Sequence, residues 1–270
     1  MLVNDVNNWT LSLLLSGDNL WYILRIDDGA ENARAGHLAL VDSDVNGVLK
    51  TLEDTVYDNG FLLDDYRRVK VAVRAPRFSL LPGEYRDRDE DAHRAHRATT
   101  TSTDVDIITA YAERNDIGAA FEIPRGVYNF VQRTFNSPPV TFHLLPLLEH
   151  YKTLSEVAAT ARVYLNFHSA DTMDIAVYDA EARLLMANTV TFRTIDDAAY
   201  YALNAWRIHH LDNDSDHEIV ITGDNTCRAE VAQLLRRYVK RVTLAIPPAA
   251  IIRLGDEAQN APLELQLLAL

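Results

Sequence analysis

The sequence predicts an α/β protein made of two related halves, each running β-β-β-α-β-α-β. Three observations predict it: a set of three short β-rich runs opens each half, a helical stripe follows each set, and a strand–helix–strand order closes both. The first half is expected over 8–157, with an insertion at about 76–103. The second is expected over 158–270 and includes a C-terminal tail.

In the first half, Thr10 to Leu15, Leu20 to Ile26 and Gly36 to Val41 are the β-rich runs, parted by the turn clusters Ser16-Gly17-Asp18-Asn19 and Asp27-Asp28-Gly29. Val45, Val48, Leu49, Leu52 and Val56 then recur at helical spacing, and the stripe stops before Asn59-Gly60. Val69 to Arg74 reads as a strand halted by Pro76. Thr103 to Tyr111 reads as a helix with Asp104 near its positive end, and Gly118 to Ile123 as another strand. Pro124 and Gly126 break the chain before an apolar helix over Val127 to Phe135, and Val140 to His143 is a short strand leading into Leu144 to Tyr151.

The second half repeats the order. Arg162 to His168, Thr172 to Tyr178 and Leu184 to Phe192 are strand-like, joined by Ser169-Ala170-Asp171 and Ala180-Glu181-Ala182. Thr194 is a helix N-cap, Asp196 and Asp197 suit the positive end of the dipole, and Ile195, Ala199, Leu203 and Trp206 share one face of a helix reaching about His210. Glu218 to Thr222 is a buried-type strand stopped by Gly223-Asp224-Asn225, followed by a helix over Arg228 to Tyr238 and a strand over Val239 to Ile246.

Two segments interrupt the pattern. Glu84 to Arg97 is a mixed-charge stretch expected as a mobile loop or exposed helix. The tail from Ala249 ends in LELQLLAL, whose apolar residues must be covered, and packing back onto the body is the expected answer.

Composition bounds the function. A chain of 270 residues with 48% hydrophobic and 24% charged residues has enough material for a real core. Its net charge of −13 repels nucleic-acid phosphates and anionic lipid, so neither is an expected partner. Cys227 is the sole cysteine, which excludes an intrachain disulfide and points to the cytoplasm. Asn4, Asp5, Asn7 and Asn8 stand where a signal peptide needs a basic start and an apolar run, and no stretch has the length of a membrane span.

Three strands, helix, strand, helix, strand, occurring twice, resembles the actin-like ATPase (ribonuclease H-like) superfamily, which also holds sugar kinases and the large heat-shock chaperones. The blocks KVAVRAPRFSLLPGEY, VYNFVQRTF, LMANTVTFRTIDDAAYYALNAW and IVITGD resemble, in order, those of an uncharacterised Bacteroidetes family, the domain of unknown function 3822. The resemblance spans roughly Leu11 to Ile246. It implies the actin-like fold and no established reaction.

In active members of that superfamily, the turn between the first two strands of each half cradles phosphate and a strand-borne Asp holds hydrated magnesium. Here the first turn is Leu13-Leu14-Leu15-Ser16-Gly17-Asp18-Asn19, with apolar residues where the Asp is expected. The second is Asn166-Phe167-His168-Ser169-Ala170-Asp171-Thr172, which lacks both the Asp and the glycines. The adenine-side remnant is Ile219 to Asn225, where one glycine, Gly223, remains and Asp224 brings negative charge to the helix start. No catalytic residue, metal or cofactor is expected.

The leading expectation is a non-catalytic scaffold or adaptor with an unknown protein partner. The alternative is a nucleotide or small-molecule binder, or a divergent phosphotransferase with ATP and magnesium, using the cleft between the halves. Its ligand contacts would be Ser16, Gly17, Asp18, Ser169, Asp171, Gly223 and Asn225. A ribonuclease H-type nuclease is disfavoured because Leu11 to Leu15 carries no carboxylate. His93 and His96 beside Asp89 and Asp91, and His209, His210 and His217 beside Asp212, Asp214 and Asp216, are read as solvated segments in preference to metal sites. Cys227 sits at a helix start, which favours a lowered thiol pKa, against the reading of a small buried hydrophobe.

Overall fold

A computed structural model describes residues 8–26, 33–40, 47–112, 114 and 116–270. The expected turn at Asp27-Asp28-Gly29, Val41 and Val45, and the N-terminal Asn4, Asp5 and Asn7 lie outside those residues. The chain divides into two compact units, 1–146 with 248–270, and 147–247.

In the first unit, β1 (Trp9–Leu15), β2 (Asn19–Ile26) and β3 (Arg34–Ala39) form the expected antiparallel meander. α1 (Gly47–Asp58) follows, and then β4 (Arg68–Val73) pairs in parallel with β1. After an inserted segment, α3 (Arg125–Thr134) and β8 (Val140–Phe142) complete a sheet of order β3-β2-β1-β4-β8. β1 is buried along its whole length, so its run of leucines lines both faces.

The insertion is a module of its own: β5 (Phe78–Pro82), α2 (Asp89–Arg97), β6 (Val105–Tyr111) and β7 (Ile117–Pro124), with a sheet of order β5-β7-β6. Here the structure corrects the sequence reading. The segment expected as a helix, Thr103 to Tyr111, is strand β6, because its β-branched Val105, Ile107, Ile108 and Thr109 pair along β7. Strand β5, an edge strand ending at Pro82, had no sequence counterpart; flanking prolines are tolerated at an edge. Within the segment Glu84 to Arg97, α2 buries Ala92 and His96.

α4 (Leu144–Ala158) carries the chain into the second unit, the division falling within it. There β9 (Arg162–Phe167), β10 (Thr172–Tyr178) and β11 (Leu184–Thr191) form a second meander, followed by α5 (Ile195–Ile208), β12 (Glu218–Gly223), α6 (Asn225–Leu235) and β13 (Val242–Leu244). The sheet order is β11-β10-β9-β12-β13, the order of the first unit's five-stranded sheet repeated strand for strand. α5 starts at a full capping box in which Thr194 and Asp197 satisfy each other's backbone N–H groups. One face of this sheet, with Val163, Leu165, Ile175 and Ile221, packs under the alanines of α5 and under Val231 and Leu235 of α6.

The tail, grouped by sequence with the second half, packs in the first unit. α7 (Ala249–Ile252), α8 (Asp256–Gln259) and α9 (Leu263–Ala269) bring Leu254, Ala258, Leu265 and Ala269 against Leu14, Ile23 and Ala72. Glu264, 1% exposed, anchors α9 through Arg74, and Lys70 donates to the Leu268 carbonyl. Among the described residues no helix is long and apolar enough to cross a membrane.

Candidate functional site

In the second unit, polar side chains gather near the carboxyl ends of the parallel strands β9 and β12, the edge at which open α/β sheets bind ligands. Asn166 of β9 stands in register with Asp174 of β10 and Thr222 of β12. Strand alternation turns all three away from the α5–α6 core and toward α4. The Tyr151 hydroxyl lies 3.0 Å from Thr222 Oγ1, which also reaches Asn166 Oδ1 and the Leu165 carbonyl, both at 3.1 Å.

Asp174 is the centre of this network and is 1% exposed. Its Oδ2 accepts from His168 Nε2 at 2.5 Å and from Asn166 Nδ2 at 3.3 Å, and its Oδ1 from Thr189 Oγ1 at 2.7 Å. Both carboxylate oxygens are therefore engaged by protein donors, which is the condition for burying one. The partners arrive from β9, β11 and the β9–β10 turn, so the network ties three strands together.

The turn itself is closed on its own donors. Asp171 Oδ1 accepts from Ser169 Oγ at 2.7 Å and from Thr172 Oγ1 at 3.0 Å, and those bonds hold its carboxyl below the ordinary value. Across from it, Asp224 caps α6 by accepting from the Thr226 N–H at 2.7 Å, while its own N–H donates to the Phe167 carbonyl at 2.7 Å. Gly223 has φ +88°, and a Cβ there would meet the Phe167 carbonyl oxygen at 2.2 Å, so β9 itself demands glycine. Asn225 is the first residue of α6. Ser169 and Gly223 thus flank one junction, where Cys227 Sγ lies 3.9 Å from the Ser169 carbonyl. Burial, reinforced by Asp224, pushes the Cys227 thiol up to about 11, the reverse of what a helix start does to an exposed cysteine.

The other predicted residues lie in the first unit. Ser16 is buried, its Oγ within reach of the Asn19 carbonyl at 2.9 Å and of Asp18 Oδ1 at 3.1 Å, and the Asp18 carbonyl accepts from the Leu40 N–H. Gly17 faces open space. This is a hairpin turn joined to β3. The expected acidic loop at Asp212 is also self-contained, accepting the N–H groups of Asp214 and Ser215.

Sequence reasoning missed Asp174, Thr222 and Tyr151. The signal for the first was a lone carboxylate inside the apolar run TMDIAVY, a strand buried on both faces.

Two five-stranded sheets of one strand order, with helices interleaved between their strands, define a protein of the actin-like ATPase fold. A protein with that fold and unknown function from Bacteroides thetaiotaomicron VPI-5482 superposes with a TM-score of 0.83 at 19% identity, covering 100% of this chain and 98% of that one. The PilM-PilN type IV pilus biogenesis complex matches at a TM-score of 0.54 and 13% identity, over 96% of this chain and 98% of that one. The family model described as protein of unknown function (DUF3822) matches residues 4–242, and the chain belongs to that family. A comparison with curated proteins gives no match.

Proposed function

We propose that the protein is a non-catalytic member of the actin-like ATPase fold, a cytoplasmic scaffold or adaptor whose halves arose by internal duplication and whose nucleotide-gripping turns have become structural. The observation that carries this reading is that all three turns hold a carboxylate, Asp18, Asp171 or Asp224, that takes up a donor of its own turn or helix start. A triphosphate would have to displace those bonds and face like charge in a chain of net charge −13. Tyr200, Tyr201 and Ile208 leave exposed apolar surface on α5 for a partner. That a neighbour of this fold belongs to the PilM-PilN complex is a precedent of fold alone.

The test is thermal unfolding with and without magnesium and millimolar ATP, ADP or GTP. A nucleotide at 100 times its dissociation constant stabilises by about 2.7 kcal/mol, a displacement of several degrees. The expected result is no displacement with any nucleotide. A displacement would reinstate the nucleotide-binding alternative and its contacts at Ser16, Gly17, Asp18, Ser169, Asp171, Gly223 and Asn225.

A further inference from the structure

The edge of a β-sheet is a row of backbone N–H and C=O groups open to another strand, and proteins shorten, charge or cover such edges. The two five-stranded sheets have four edge strands. β8 and β13 are each only three residues long. β3 is covered by the tail: the Ala33 N–H, just before it, donates to the Leu254 carbonyl at 2.7 Å, and the Ala35 N–H to Glu257 Oε2 at 3.2 Å. β11 holds the place of β3 in the second unit's sheet. It runs for eight residues, LLMANTVT, without a charge or a proline, and a bulge against Val177 and Tyr178 interrupts only its start.

The pairing with β10 fixes which groups of β11 face outward. The Phe192 N–H donates to the Asp171 carbonyl, one step beyond the pair Thr191 and Thr172. Antiparallel pairs alternate between bonded and non-bonded, so Val190, Asn188 and Met186 bond to β10, while Ala187, Thr189 and Thr191 point their N–H and C=O groups off the sheet. The Thr189 N–H is taken by the neighbouring Asn188 Oδ1 at 2.9 Å. Among the described residues no hydrogen bond reaches the outward backbone groups of Ala187 or Thr191. Another extended strand matches such a row group for group.

The side chains say which strand fits. Met186 and Val190 pack toward the α5–α6 core, beside the buried Phe192. Two β11 strands laid antiparallel about Asn188 set Met186 of each copy opposite Val190 of the other, so the apolar seam of one sheet continues into the next. The same register bonds Ala187 to Thr189 in both directions. The flanks agree in charge, because the Arg193 end of one strand meets the Arg183 end of the other. Arg183 already holds two carboxylates, Asp179 at 2.7 Å and Glu181 at 3.1 Å, which leaves a surplus negative charge for Arg193. We infer that the chain forms a two-fold homodimer by antiparallel pairing of β11 with β11 about Asn188. One strand pair is a small interface, so the dimer is a micromolar one and not obligate.

The experiment is sedimentation equilibrium of the full chain from about 5 to 500 μM in about 0.3 M salt, which screens the net charge of −13 on each copy. The average mass should climb from one chain toward two, with a dissociation constant of roughly 10–100 μM, and exchange of the Ala187 amide should slow over the same range. Ala187→Pro removes an outward N–H and no bond to β10, a change that an edge strand tolerates. It should weaken the dimer at least about tenfold with an unchanged urea midpoint. Asn188→Lys, at an exposed position, brings like charges face to face only in the dimer and should weaken it about tenfold as well. Should Ala187→Pro lower the urea midpoint, Asn188→Lys decides alone. A single chain at every concentration would overturn the inference, as would a dimer that Asn188→Lys forms as tightly as the unaltered chain, since its contact would lie elsewhere.

Discussion

The two five-stranded sheets share a strand order and fill the same place with opposite chemistry. One residue before the end of its first strand, the first sheet has Leu14 in register with Trp21 and Ala72; the second has Asn166 in register with Asp174 and Thr222. The first triple is covered by the C-terminal tail, which packs Leu254 and Leu265 on it. The second is covered by α4, through Tyr151. Hydrophobic burial is non-directional and tolerates many partners, whereas a buried polar network needs every member in place. Topology thus fixes where a cluster can form, and the side chains decide whether it is a docking face for the chain's own end or a hydrogen-bonded lock.

Removing the cover from the first triple is the largest test of that difference. A chain ending at residue 247 loses the buried Leu254 and Leu265 and the partly buried Leu268, each worth roughly 1.5–3 kcal/mol, together with the Glu264 partner of Arg74. The loss, on the order of 5 kcal/mol or more, rivals the whole stability of an ordinary domain. The truncated chain should be insoluble or should unfold at much lower urea. An unchanged urea midpoint would show that the tail is not the cover of that face.

Asp174→Ala probes the second triple. It strips the buried Asn166 and the partly buried His168 and Thr189 of their common acceptor, and it should cost about 3 kcal/mol, because donors left unpaired around a buried position carry the penalty. Urea unfolding measures it. A cost under about 1 kcal/mol, the range of an ordinary surface change, would mean that the network is ornamental.

What was legible in the sequence follows the same division. Local signals came through: the paired turns, the helical stripe from Val48 to Val56, and the capping residue Thr194, whose bond to Asp197 spans three residues. The site did not. Asp174 is an acceptor for groups six to fifteen residues away, and Thr222 meets Tyr151 across 71 residues, separations at which periodicity is silent. Thr103 to Tyr111 misled because its apolar spacing fits a helix while its β-branched residues found a partner strand in β7. The apolar residues of LELQLLAL required a cover, but only the fold names Leu14 and Ala72 as the surface they meet.

The smallest effects come from a pair of glycines, Gly17 in the turn between β1 and β2 and Gly223 in the turn from β12 into α6, both of which the sequence offered as ligand contacts. At Gly223 the backbone is left-handed and β9 stands where a Cβ would go, so Gly223→Ala must both strain φ and push on the Phe167 backbone; about 2 kcal/mol of destabilisation is expected. At Gly17 nothing lies within 4 Å of the added atom and φ is not left-handed. Gly17→Ala should therefore change stability by no more than about 0.5 kcal/mol, or stabilise slightly by restricting the unfolded chain. Urea midpoints of the two variants read the contrast directly. Equal costs would mean that the first turn is as constrained as the second, and that its glycine is held by something other than the hairpin that Ser16 and Asn19 close.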